Sequence, residues 1–237
     1  MIDFGVLLDV QDHDTRAEQV RHRRVSLPQR DELVRIGVEL ATLETVEAEV
    51  SARRHELARQ EKRFEDEAAL VEAKAASENG RLYSGEITNP KELQAIEVEI
   101  ASLKRRQTEL EDEAIVLMEQ IEPVDGELAA LGERMAALRV ARTAATEELA
   151  AAEAEADAEL ATVLEERAAL ATSLDADLLA TYERVLAQQG GVAVSRLAGN
   201  TCDGCHLALS AVELDRVKHE RPDVLVYHEE CGRILVR

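Results

Sequence analysis

Tryptophan is absent from the 237 residues, tyrosine and phenylalanine together contribute five, and proline occurs four times and glycine eleven. A large globular core draws much of its buried area from aromatic side chains, so this composition argues against a compact enzyme domain. No stretch of about 18 apolar residues is long enough to span a bilayer. The opening residues Met1, Ile2, Asp3 and Phe4 lack the basic region of a secretory signal, and the chain is read as cytoplasmic. Positive charge is also scarce: 28 Lys and Arg face 49 Asp and Glu, a net charge of −21. Such a balance repels phosphate backbones except at small patches. What remains is a mixture rich in Ala, Glu, Leu and Arg, which reads as long helix.

The helical reading becomes specific through its period. From Leu93 a 3,4 spacing runs through Ile96, Ile100, Leu103, Gln107, Leu110, Ala114, Leu117, Ile121, Val124, Leu128, Leu131, Met135 and Leu138 to Leu149. A repeat of 3.5 residues keeps one narrow stripe facing a partner helix, which is the seam of a coiled coil. Upstream the same spacing holds from Leu33 through Ile36, Leu40, Leu43 and Val50 to Ala75, interrupted by Glu47, Arg54 and Glu61, themselves seven residues apart. Between the two runs lies a cluster of turn formers, Asn79 to Pro90. Asn89 can cap the second helix, Pro90 suits its first position, and Glu92 stands where it can reach back to the cap.

The expected fold is therefore mostly α: a long antiparallel coiled-coil hairpin with a small β-containing domain at its C-terminal end, where residues 192–197 and 224–227 have strand-like patterning. Folding about residue 84 pairs positions whose numbers add to about 168, which sets Glu61 beside Gln107 as a polar layer and residues 141–165 beside residues 3–27. At 1.5 Å per residue an arm of about 75 residues would make a rod on the order of 110 Å long. Four segments are expected: an N-terminal helix over 1–28 that completes the first arm beyond the break at Ser26-Leu27-Pro28, the hairpin over 29–172 with its tip near 79–90, a connecting helix over 173–191, and the ribbon over 192–237. Pro123 should kink the second arm without breaking it. The acids of 141–180, with Arg142 and Arg167 as the only bases there, read as a solvated face.

The chemistry is concentrated at the end. Cys202-Asp203-Gly204-Cys205 is followed, 22 residues later, by His228-Glu229-Glu230-Cys231-Gly232. Two knuckles of ligand-x-x-ligand form let four side chains converge on one tetrahedral zinc. Cys202, Cys205, His228 and Cys231 would form a closed site holding one structural Zn2+, with no position left for substrate. The alternatives are a redox pair of Cys202 and Cys205, or a fourth ligand from His206 or His219. A ribbon of about 40 residues with Tyr227 as its sole aromatic is too small to fold on apolar burial alone, so metal is expected to supply the missing stability.

At these residues the chain resembles a known family. Gly190-Gly191-Val192-Ala193-Val194, Cys202-x-x-Cys205-His206 and Cys231-Gly232-Arg233-Ile234-Leu235, with the tip Leu82-Tyr83-Ser84-Gly85 and Asn89-Pro90-Lys91-Glu92-Leu93, are similar to the bacterial coiled-coil proteins that end in a C4-type zinc ribbon. The departure is His228, where the family usually has Cys. The resemblance implies a binding or adaptor protein without a common catalytic activity, and a nucleic-acid role through the ribbon as the alternative. Leu82 and Tyr83 at the tip and Lys104, Arg105 and Arg106 on the second arm are the candidate partner-binding residues. Residues 196–237 carry six Lys or Arg against seven Asp or Glu, so the ribbon has no basic surplus with which to release counterions. A protein partner is favoured over nucleic acid, with the chain itself a monomer or weak dimer and no membrane association.

Overall fold

The computed structural model describes residues 4–222 and 224–237. Five helices and four strands follow in the order α1 (Phe4–Val25), α2 (Pro28–Tyr83), α3 (Pro90–Ala171), α4 (Ala176–Gln188), β1 (Val194–Ala198), β2 (Thr201–Cys202), α5 (Ala211–His219), β3 (Val226–Tyr227) and β4 (Ile234–Val236). The chain divides into two compact units: one holds residues up to Asp31 and from Ala145 to Arg237, the other Glu32–Ala144. The N-terminal helix shares its unit with the ribbon and the last part of α3.

The unit Glu32–Ala144 is an antiparallel hairpin of most of α2 and the first part of α3. Its buried residues are seam residues: Ile36, Leu40, Leu43, Val50, Ala68 and Ala75 on α2, and Ile96, Ile100, Leu110, Ala114, Leu117, Ile121, Val124 and Met135 on α3. Helix α3 continues through Pro123. The register differs from expectation. Lys74 meets Glu99 at 2.9 Å, Arg134 meets Glu39 at 2.5 Å, Arg54 meets Asp125 at 3.0 Å and Arg139 meets Glu44 at 3.6 Å. Partner numbers thus add to between 173 and 183, not 168. The cause is at the tip: α2 runs on through Asn79 and Gly80 to Tyr83, so the turn is centred later. Glu61 consequently lies not beside Gln107 but in a groove with Arg54, Met118, Ile121 and Asp125, and Gln107 bonds along its own helix to Glu111. The tip itself is short. Ser84 closes α2 by donating to Arg81 O, Gly85 has φ +79°, and the Asn89 side chain caps α3 by accepting from the Lys91 N–H.

In the other unit α1 runs against the last part of α3. Arg24 pairs with Asp157 at 2.7 Å and His13 with Glu166 at 3.3 Å, where the earlier register would have put Arg24 near residue 144. Arg16 and Arg23 both hold Glu159, and Arg30 holds Glu153. The acidic stretch of α3 is therefore not simply a solvated face, since part of its charge is matched by the basic end of α1. Asp14 accepts from Arg167 at 3.2 Å and from the Tyr182 hydroxyl at 2.7 Å. Burial and the Asp14 carboxylate both raise the Tyr182 pKa far above the ordinary phenol value, so the hydroxyl stays a donor.

The ribbon is a four-stranded sheet of order β2-β1-β4-β3, with β1 parallel to β4 and the other pairs antiparallel. Its two sides have separate apolar clusters. Ala193, Val194 and Ile234 pack with Leu7 and Val10 of α1 and Leu178, Tyr182 and Val185 of α4. Cys202, Leu209, Val217, Val226 and Leu235 form the second cluster, with Cys205 and Cys231 at its margin. Strand β3 falls within the strand-like run 224–227, and β1 overlaps the run 192–197 and ends one residue beyond it at Ala198. Helix α5 was not anticipated, although Ser210 caps it through the Glu213 N–H at 3.1 Å and the Ser-x-x-Glu spacing is the sequence signature of such a start.

Candidate metal centre

The two knuckles share one backbone pattern. In the first, the Cys202 N–H donates to Leu207 O at 3.0 Å and the His206 N–H donates back to Cys202 O at 2.8 Å; in the second, the His228 N–H donates to Arg233 O at 2.9 Å and the Gly232 N–H to His228 O at 2.7 Å. The fifth residue of each turn is left-handed, with φ +61° at His206 and φ +68° at Gly232. His228 therefore occupies in the second knuckle the place that Cys202 occupies in the first. This fits a metal ligand at both positions.

Ligand atoms of Cys202, Cys205, His228 and Cys231 all lie within 4.8 Å of one another. Cys202 and His228 are fully buried, while Cys205 and Cys231 are half-buried. His228 Nδ1 stands 3.3 Å from Cys205 Sγ and 3.1 Å from Cys231 Sγ. Burial pushes the Cys202 thiol up, but the N–H groups of Cys205 and Gly204 aimed at its sulfur more than reverse this, and the net effect is a lowered pKa. Amides facing the sulfur in this way favour the thiolate, the form that binds metal. Desolvation and the adjacent Cys231 and Cys202 sulfurs raise the Cys205 thiol instead, and a bound cation would favour its thiolate.

Residues outside the ligand set hold the knuckles. Glu213, only 4% exposed, accepts from the Glu229 N–H at 2.8 Å and so ties α5 to the second knuckle. Arg233 donates to Val192 O and Gln189 O. Gly204 has no room for a side chain: a Cβ there would overlap Ser195 Oγ and come within 2.8 Å of Arg233 Cδ. We expect Gly204→Ala to cost about 1–3 kcal/mol through overpacking, read as a lower urea midpoint of the zinc-loaded chain; an unchanged midpoint would show that the knuckle yields freely.

The alternative histidines lie elsewhere. His206 is exposed, and His219 points Nδ1 at its own Asp215 O at 2.9 Å on an exposed part of α5. The left-handed conformation of His206 makes a directional test, because Gly carries no Cβ penalty there. His206→Gly should keep one zinc and raise stability by up to about 1 kcal/mol, whereas loss of the metal would mark His206 as a ligand.

Of the candidate partner-binding residues, Tyr83 is 79% exposed at the end of α2 and Leu82 beside it is half-buried. Lys104, Arg105 and Arg106 are exposed on α3, about 20 Å along the helix from Pro90, with Arg106 paired to Glu109 at 3.4 Å. The tip and the basic run are thus two places. Gln11 is a positioning residue that no sequence motif marks. It is 4% exposed, its Oε1 accepts from the Ala193 N–H at 2.6 Å and the Val194 N–H at 3.2 Å, and its Nε2 donates to Gly191 O at 3.0 Å. A polar residue on the same face as Leu7, Val10 and Asp14 was the available signal.

A long helical hairpin joined to a four-ligand ribbon defines a coiled-coil zinc-ribbon protein. Residues 10–190 match the family model of the CT398-like coiled coil hairpin domain and residues 201–235 that of the C4-type zinc ribbon domain. The chain belongs to the CT398-like coiled-coil hairpin family, and its ribbon is built for a single structural zinc. A Mycobacterium tuberculosis protein described as uncharacterized protein Rv2229c is 31% identical over 231 residues, covering 98% of this chain and 94% of its own. Among solved structures, a Mycobacterium smegmatis protein superposes with a TM-score of 0.88 at 23% identity over 100% of this chain and 99% of its own. CT398 from Chlamydia trachomatis does so with a TM-score of 0.66 at 23% identity, over 98% and 95%. No helix among the described residues is long and apolar enough to cross a membrane.

Proposed function

We propose that the protein is a non-catalytic, cytoplasmic adaptor: Cys202, Cys205, His228 and Cys231 hold a structural zinc, and the hairpin tip carries a protein-binding site. The observation behind this reading is Tyr83, 79% exposed at the end of α2, with half-buried Leu82 and Ile87 near it in the sequence of the tip. Large aromatic side chains that stand free on a polar surface are the usual anchors of protein interfaces. A zinc with four protein ligands leaves no coordination site for chemistry. Against the nucleic-acid alternative stands the use already made of Arg23, Arg24 and Arg30, whose charges are matched by Glu159, Asp157 and Glu153. Within the run 104–106, Lys104 and Arg105 form a small basic spot on a chain of net charge −21, too few to release many counterions.

The test is site-specific photocrosslinking in cells, with the photoreactive residue at position 83 or, as a control, at Val116, which is 48% exposed on α3. A discrete protein adduct from position 83 that is absent from position 116 supports the adaptor reading. Equal adducts from both positions count against the tip, and salt-sensitive, sub-micromolar binding of labelled RNA or DNA at about 150 mM salt would reverse the ranking of partners.

A further inference from the structure

We infer that His228 binds the metal through Nδ1, leaving Nε2 as a buried, protonated N–H that no protein acceptor among the described residues meets. The inference rests on the reading of Cys202, Cys205, His228 and Cys231 as the zinc ligands and adds the atom by which the exceptional ligand acts.

Three observations carry it. The first is the backbone equivalence of the knuckles: because His228 and Cys202 make the same pair of main-chain hydrogen bonds, the Cβ of His228 starts from a position laid out for a cysteine. Cysteine presents its sulfur one bond beyond Cβ. In histidine Nδ1 is two bonds beyond Cβ and Nε2 is three, so Nδ1 is the nitrogen that departs less from the thiolate reach. The second observation is distance. With Zn–S near 2.3 Å and Zn–N near 2.0–2.1 Å, a tetrahedral site separates a ligand nitrogen from each ligand sulfur by about 3.6 Å. Nδ1 lies 3.3 Å and 3.1 Å from the sulfurs of Cys205 and Cys231, close to that separation with room to open slightly around an ion.

The third observation is the other nitrogen. Nε2 is buried and has no hydrogen-bond partner among the described residues. Metal-bound histidines ordinarily donate their second N–H to a carboxylate, carbonyl or water, which fixes the ring. Here ring orientation comes instead from burial, since His228 is 0% exposed, and from the turn that Glu213 braces through the Glu229 N–H. A ligand held by its shorter arm needs less support from its far side.

The experiment uses the full chain with 113Cd in place of zinc and proton–cadmium correlation spectroscopy. Nδ1 ligation puts only Hε1 three bonds from the metal, whereas Nε2 ligation puts both Hε1 and Hδ2 at three bonds. We expect Hβ correlations from Cys202, Cys205 and Cys231 and, from the His228 ring, a strong correlation to Hε1 alone. Correlations of similar strength to Hε1 and Hδ2 would overturn the assignment while the zinc reading stands. Cysteine correlations with none to the ring would remove His228 from the ligand set and overturn it as well. Absence of bound cadmium and zinc in metal analysis would instead overturn the zinc reading on which the inference rests. An independent readout is the Nε2–H proton of the zinc-loaded, 15N-labelled chain. Its observation as a slowly exchanging ring N–H supports the proposal, and a slowly exchanging Nδ1–H contradicts it.

Discussion

Stripping the metal with a strong chelator should unfold one side of the ribbon and leave the other side standing. Apparent zinc-binding energies in small domains are about 10–16 kcal/mol, comparable to or larger than the 5–15 kcal/mol stability of a typical domain, so loss of the ion removes the dominant support of whatever depends on it. What depends on it is the cluster of Cys202, Leu209, Val217, Val226 and Leu235, which includes one ligand and has two more at its margin. Without metal, its three thiols and one imidazole become buried or half-buried polar groups with no charge to share. The expected result in hydrogen exchange is loss of protection at Cys202, His206, Leu209 and Gly232 and through α5. Ala193, Val194 and Ile234 should stay protected, because they are buried against Leu7, Val10, Tyr182 and Val185. Far-ultraviolet circular dichroism should fall by little more than the nine residues of α5. Full retention of protection in the stripped chain would mean that apolar burial suffices for the metal-side cluster. Loss of protection at Ala193 and Ile234 as well would mean that the two clusters are one cooperative unit.

The second large effect should come from a residue far from the metal in sequence. Gln11→Leu removes the acceptor of the Ala193 and Val194 N–H groups and the donor to Gly191 O, at a site where Gln11 is 4% exposed and water has little access. Each buried backbone group left unpaired costs about 1–3 kcal/mol, so the loss at the Ala193 and Val194 N–H groups should be on the order of 2–6 kcal/mol despite adding apolar surface to an apolar cluster. The measurement is urea denaturation of the zinc-loaded chain followed by Tyr182, the one tyrosine of that cluster. A change below about 1 kcal/mol would show that the three backbone groups find other partners.

These two expectations also mark where the sequence was readable. The seams were legible because a 3.5 period depends on residue type alone: of the expected positions, Ile36, Leu40, Leu43, Val50, Ile96, Ile100, Leu110 and Leu117 are all buried. The turn was legible within 79–90, but its centre lies about two to three residues later than residue 84, between Tyr83 and Pro90. Asn79 and Gly80 are turn formers by type, yet a Gly in a helix costs only about 1 kcal/mol relative to Ala, and the Ala-rich run before them carries α2 on to Tyr83, where Ser84 and Gly85 end it. The convergence of Cys202, Cys205, His228 and Cys231 was readable from their spacing. The role of Gln11 was not, because nothing local relates residue 11 to residue 193, and the pairing exists only once α1 has been brought against the sheet. The same holds for Glu213, whose carboxylate serves a knuckle 16 residues away.

The span between Gln11 and Ala193, 182 residues, has a consequence for the order of events on the ribosome. At about 5–20 residues per second, α1 waits roughly 10–35 seconds between its own emergence and that of the strand whose amides Gln11 receives. During that interval α2 and α3 can zip from their short turn outward, as contacts near in sequence form first, while Leu7 and Val10 have no partner from α4 or the sheet. The apolar face of α1 thus stays uncovered by α4 and the sheet until late in synthesis. The charges of Arg16, Arg23 and Arg24 on the same helix oppose its association with other chains until the ribbon arrives.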